Sequence, residues 1–225
     1  ATGLEVDKLD PDAWMRYFHT YVDLYKEAAG GMLGEKGIRY LLVDSYEAGS
    51  YTWTPKLAEE FKSRRGYDLI PWLPVLAGEI IGSSQMSERF LWDWRRTLGE
   101  LFCENYDRID DIVNEYGLSG RYTESHEGGR AYTGDGMDPK IKATIPMAAI
   151  WMENTPTGSS VPSAICDVRE SASVSHIYGQ PLVAAESFSV NGDEGRAYTY
   201  CPENMKYIAD VGLSAGLNRF VIHES

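Results

Sequence analysis

The chain has 225 residues, of which 43% are hydrophobic and 24% charged, so it reads as a globular sequence long enough for a large single core, and disordered or collagen-like classes are excluded. Its net charge of -13, from 34 acidic against 21 basic residues, disfavours nucleic acid and anionic membrane surfaces and leaves neutral ligands easier to accommodate. No apolar run approaches the roughly 20 residues of a membrane span, and Ala1-Thr2-Gly3-Leu4-Glu5 lacks the basic and apolar regions of a signal peptide.

In chain order, Asp10 is an N-cap with Pro11 at the first helical position, and Trp14, Phe18, Tyr21, Tyr25 and Ala28 recur at helical spacing up to Gly30-Gly31. A strand over 38–44 follows. Thr54-Pro55 opens a short helix that holds Leu57, Ala58 and Phe61 and stops at Gly66. Residues 67–84, with Pro71, Pro74 and Gly78, read as an irregular excursion. The longest periodic segment runs from Ser87 to Tyr116 and is closed by Gly117. Further strands are expected at Leu118–Thr123, Ala143–Trp151, Pro181–Ala185 and Leu217–Ile222, with helices near 163–178 and 203–215 between them.

Strands separated by helices imply right-handed crossovers and a parallel sheet. Five strands are too few for a closed eight-stranded barrel, and the last strand has no helix after it, so the fold class is α/β, a partial (β/α)8 TIM barrel. Residues 1–225 are then part of one catalytic barrel excised from a larger protein, poorly stable alone because parallel strands need helices outside them.

Carboxylates stand where several of these strands end. Val43 runs into Asp44-Ser45-Tyr46-Glu47, Leu182–Ala185 runs into Glu186, Leu217–Ile222 runs into His223 and Glu224, and Leu118–Thr123 runs into Glu124. The C-terminal ends of barrel strands carry the chemistry of that fold, so these groups are expected to share one site. Cys103, Cys166 and Cys201 form no metal-type cluster, and His126 with Glu127 lacks the spacing of a zinc motif. Six Trp and fifteen Tyr suit a site that stacks on sugar rings and equally suit a large core. Lys62-Ser63-Arg64-Arg65 reads as a short basic face at a helix end.

The words Gly3-Leu4-Glu5-Val6-Asp7-Lys8-Leu9, Asp44-Ser45-Tyr46-Glu47-Ala48-Gly49, Trp53-Thr54-Pro55, Glu60 to Leu69, Ala185-Glu186-Ser187-Phe188 and Gly216 to Phe220 together resemble glycoside hydrolase family 106. The resemblance spans nearly the whole chain in order. It implies an inverting α-L-rhamnosidase barrel acting on plant or microbial polysaccharides, and a multidomain parent with β-rich accessory domains. It also implies an active site that uses calcium, and a secreted or periplasmic bacterial setting. Carried over residue by residue, it puts Asp44, Glu47 and Glu186 in the site. His223-Glu224-Ser225 resembles the start of a longer family word. One stretch departs: the family's Pro-Met-Gly-Glu-Phe-Trp-like word reads Pro146-Met147-Ala148-Ala149-Ile150-Trp151, so Ala149 replaces a carboxylate that Glu153 would have to supply.

The chemistry follows from the residue types. Glycoside cleavage needs a protonated carboxylic acid at the leaving oxygen and a second carboxylate, roughly 6.5 to 9.5 Å apart for inversion and about 5 to 5.5 Å apart for retention. Glu47 is read as the acid, its pKa raised by Asp44, and Glu186 as the base, with the two roles exchangeable. Glu124, His223, Glu224 and Trp151 are candidates for sugar contacts, and Asp44 and Glu124 for holding a hard cation. A retaining glycosidase and a carbohydrate-binding pseudoenzyme are the alternatives.

Overall fold

Short runs of branched and aromatic residues become parallel strands here because a crossover of a dozen residues or more separates each from the next, helical except between the second and third strands, where the described residues hold only a 3-10 turn at Asp138–Lys140. The computed structural model describes residues 4–47, 49, 52–125, 134–152, 161–190 and 200–223. Within them the strands are β1 (Tyr40–Val43), β2 (Gly120–Thr123), β3 (Ile145–Met152), β4 (Ala184–Val190) and β5 (Arg219–Ile222). All neighbouring pairs are parallel and the order is β1-β2-β3-β4-β5. A doubly wound sheet reverses its order at a switch point, whereas unbroken sequential order in a curled sheet is that of a partial (β/α) barrel.

The helices are α1 (Pro11–Ala28), α2 (Leu57–Arg65), α3 (Ser84–Glu115), α4 (Val161–Tyr178) and α5 (Pro202–Ala215). The Asp10 carboxylate accepts the Asp12 N–H at 3.1 Å, and the Ser83 hydroxyl accepts the Met86 N–H at 3.2 Å, so α1 and α3 start at side-chain caps. Gly66, at φ +83°, ends α2 in the left-handed conformation a side chain would resist. α1 stops at Ala28, two residues before its glycines.

Two sequence expectations are corrected. Residues 70–77 form a 3-10 helix rather than an irregular excursion, with Val75 buried and Pro71 at its start, where a missing N–H costs little. The basic residues at the end of α2 bridge to α3: Arg64 donates to Glu104 at 2.7 Å, and Arg65 pairs with Glu100. Tertiary ion pairs therefore account for them better than helix-dipole complementation does.

The strands alternate between two layers. Leu41 packs with Trp14, Phe61, Leu98 and Ile112 under α1, α2 and α3, while Ala148, Ile150 and Ala185 pack with Val168 of α4 and Ile208 of α5. On the opposite face Ile145, Met147 and Ala184 meet Tyr122 and Val221, the inner filling of the barrel. Apolar burial on both faces holds the sheet.

Candidate active site

Strand side chains repeat every second residue, so the inner layer formed by Tyr122, Met147, Ala184 and Val221 continues upward into Glu124, Ala149, Glu186 and His223. Tyr40 meets the Tyr122 ring at 5.5 Å, which puts Asp44, four residues on, in the same alternation. One oxygen each of Asp44, Glu124 and Glu186 all lie within 4.8 Å of one another.

The Asp-Ser-Tyr-Glu word is held by its tyrosine. Tyr46 is buried edge-on to Phe102, with ring centroids 4.9 Å apart, and its N–H donates to the Ser125 carbonyl at 3.2 Å. Asp44 and Glu47 on either side are exposed. The Asp44 carboxylate accepts the Ser45 N–H at 2.8 Å, and the Ser45 hydroxyl donates to Glu47 Oε1 at 3.4 Å.

Glu124 is fully buried, and neither of its carboxylate oxygens has a hydrogen-bond partner among the described residues. Burial pushes its carboxyl well above the ordinary range, and the negative charges of Asp167, Asp44 and Glu186 push it further, with Lys140 opposing. Asp44 is thus one of the groups that raise Glu124. Glu186 is buried within β4 rather than following it, because the strand runs on to Val190 instead of ending at Ala185. The Ser189 hydroxyl donates to Glu186 Oε1 at 2.7 Å.

Behind this layer lies a network that sequence reasoning missed. Among the described residues β2 and β3 pair at Tyr122↔Ile145 and Thr123↔Pro146, and beyond that point β3 has no ladder partner among them on this side. Helix α4 supplies them: Asp167 Oδ2 accepts the Ala149 N–H at 2.9 Å, and the Ser171 hydroxyl donates to the Met147 carbonyl at 2.9 Å. Buried Lys140 donates to Glu170 at 2.8 Å and to Ser171 at 2.9 Å, and lies 3.6 Å from Asp167 Oδ1. The available signal was Asp167, Ser171 and Ser175 at four-residue spacing on the helix face that also carries Ala164, Val168 and Ala172.

The remaining sequence candidates are more scattered. Trp151 is half-buried on β3, and His223 is exposed just after β5, its N–H donating to the Ser187 carbonyl at 3.4 Å. Glu224, Glu153 and residues 126–130 lie outside the described residues. Ala149 stands in register with Glu186, so the layer carries a methyl group where the expected family word has a carboxylate.

Three comparisons bear on this geometry. The model of the family described as alpha-L-rhamnosidase matches residues 1–225. A structure of a rhamnosidase from Novosphingobium sp. PP1Y superposes with a TM-score of 0.87 at 43% identity, covering 100% of this chain and 21% of that one. A protein of Formosa agariphila bearing the provisional name beta-glucuronidase is 33% identical over 224 residues, which is 98% of this chain and 18% of the relative. The chain thus spans about a fifth of the length of each of these proteins.

Proposed function

The chain belongs to glycoside hydrolase family 106, the α-L-rhamnosidases, and from that membership we propose that it carries the catalytic carboxylates of an inverting glycosidase that removes terminal α-L-rhamnose from plant or microbial polysaccharides or glycosides. The observation that carries this reading is the convergence of Asp44, Glu124 and Glu186 within 4.8 Å at the mouth of a partial barrel. Oxygens that close leave no room among themselves for both a sugar and an attacking water, which need roughly 6.5 to 9.5 Å. On the inverting reading one member of the reacting pair comes from outside the trio, and we assign that place to Glu47, exposed three residues after Asp44.

In this mechanism Glu47 gives its proton to the glycosidic oxygen as the bond from that oxygen to C1 breaks. Glu186 takes a proton from the water that attacks C1 from the opposite face, so the new hydroxyl appears with inverted configuration. Ser45 holds Glu47 at the rim, and Ser189 holds Glu186.

The two orphaned oxygens of buried Glu124, facing further carboxylates, suit a hard divalent cation, and calcium takes all-oxygen ligand sets of this kind. Asp44 and Glu124, with Glu186 at the border, would hold it. Bound there, the ion would supply positive charge for sugar hydroxyls and take the place of the proton on Glu124.

The acidic site also bears on substrate charge. A glucuronide would bring its own carboxylate toward Asp44, Glu124 and Glu186, whereas a neutral deoxysugar meets no such repulsion. Residues 1–225 belong, on this reading, to one (β/α)8 barrel of a secreted or periplasmic bacterial protein with β-rich accessory domains. The span of about a fifth of each relative supports the larger parent.

The test is hydrolysis of an aryl α-L-rhamnoside by the intact protein, with the first-formed anomer followed by NMR. Glu47→Gln and Glu186→Gln are each expected to lose about 1,000-fold or more in kcat, and the first product to have inverted configuration. Retained configuration would instead identify the retaining alternative. Sugar binding without turnover by the unmodified protein would make it a carbohydrate-binding pseudoenzyme.

A further inference from the structure

Among the described residues, Phe188 is the one non-glycine residue with positive φ, at +69°. A phenylalanine in the left-handed region is strained, so something in the surroundings holds it there. Its position is informative. The β3–β4 register runs without interruption to Ile150↔Ser187 and resumes at Met152↔Val190, so Phe188 and Ser189 together oppose Trp151 alone. This is a β-bulge, and bulges beside active sites re-aim side chains.

The re-aiming can be followed residue by residue. Ala184 lies in the inner barrel layer and Ala185 under the helices, so an uninterrupted strand would send Glu186 and Phe188 inward, and Ser187 and Ser189 outward. Phe188 instead packs with the outer cluster and stacks on Phe220, with centroids 5.3 Å apart. Ser189 is buried, and its hydroxyl reaches Glu186 Oε1 at 2.7 Å. Ser187, still in the regular part of the strand, spends its hydroxyl on the Ala185 carbonyl.

We propose that Ser189 is a positioning residue for Glu186, and that the bulge at Phe188 exists to deliver its hydroxyl. The proposal rests on the reading of Glu186 as the water-activating base. A glutamate held at Oε1 by a hydroxyl from its own strand keeps Oε2 pointed at one place, and small losses of such alignment are costly in rate.

The experiment compares kcat and KM for an aryl α-L-rhamnoside in variants of the intact protein. Ser189→Ala is expected to lower kcat by about 10- to 100-fold with KM within about twofold, and Ser189→Thr, which keeps the hydroxyl, to restore it. Ser189→Cys, nearly isosteric and a weak donor, should behave like Ser189→Ala and serves if the alanine variant does not fold. The positive φ at residue 188 gives a second handle on the same hydroxyl. Phe188→Val, for which that conformation is a steric outlier, should lose kcat as Ser189→Ala does, with no further loss when the two are combined. Unchanged kcat in both Ser189→Ala and Ser189→Cys, alongside inactive Glu186→Gln, would overturn the role of Ser189 and leave that of Glu186 standing. An active Glu186→Gln would overturn both.

Discussion

Glu124 illustrates how little a residue's identity says about its state until its neighbours are known. In the sequence it is one more carboxylate after a strand, weaker as a signal than Asp44 or Glu186. In the fold it is the fully buried member of the cluster, with three carboxylates raising its pKa. Because the folded value lies above the ordinary 4.5, the folded protein keeps a proton that the unfolded chain has released. The stability this group contributes is therefore complete below 4.5 and is lost as pH rises through the folded value. With chelator present, the Tm of the intact protein is expected to fall as pH is raised above 4.5. Glu124→Gln should flatten that fall, since an amide has no proton to lose. Added calcium should raise the Tm of the unmodified protein at neutral pH and leave that of Glu124→Gln nearly unchanged. A chelated protein with the same pH profile in both forms would show that Glu124 does not carry the effect.

At the scale of elements, the opening between β2 and β3 is what a strand-by-strand reading of the sequence missed. Both strands were legible from their composition, but the point where their ladder stops was not. Among the described residues the ladder stops after Pro146, and the Ala149 N–H and Met147 carbonyl of β3 are satisfied from α4 through Asp167 and Ser171. Lys140 is fully buried against Asp167 and Glu170, so Lys140→Met removes the cation from both ion pairs. The expected cost is about 3–5 kcal/mol, read as a lower midpoint in thermal unfolding of the intact protein. Asp167→Asn keeps an acceptor for the Ala149 N–H and should cost less.

The start of β2 makes a related point. Gly120 has φ +153°, and a Cβ there would meet Thr144 Oγ1 at 2.1 Å, while that same oxygen accepts the Arg121 N–H at 3.1 Å. Gly120→Ala is expected to destabilise by about 1–3 kcal/mol through crowding and strain, a difference measurable by the same unfolding assay. In the sequence Gly120 falls inside the expected strand Leu118–Thr123 and carries no mark of its own. That Thr144 is the group it makes room for depends on the β2–β3 crossover.

For the whole molecule, the sheet has two open edges. On β1, Tyr40 and Leu42 are exposed, and with Tyr17, Tyr21 and Tyr25 of α1 they line a groove of about 420 Å³; on β5, Phe220 and Ile222 are exposed. On the proposed reading of a larger barrel, these apolar edges of the described sheet are the surfaces that further strands and helices would cover. Residues 1–225 expressed alone are thus expected to bind a hydrophobic dye and to aggregate at micromolar concentration, where the intact protein does neither. A monodisperse, dye-negative fragment would contradict this account of the edges.

The sequence by itself determined the five strands, the five helices and their order, because hydrophobic periodicity, caps and terminal glycines are local signals. It also gathered carboxylates after or near apolar strand runs, and through a string of ordered words it pointed to the family. Only the tertiary structure decided which carboxylates meet. Asp44, Glu124 and Glu186 come from strands separated by tens of residues, and their approach to within 4.8 Å depends on sheet curl and register. The bulge at Phe188 belongs to the same class. Alternation predicts Ser189 on the wrong face, and the residue that reverses it is a phenylalanine rather than the glycine that usually marks such a turn. Its reason lies outside its own strand, in the Phe220 ring that holds it.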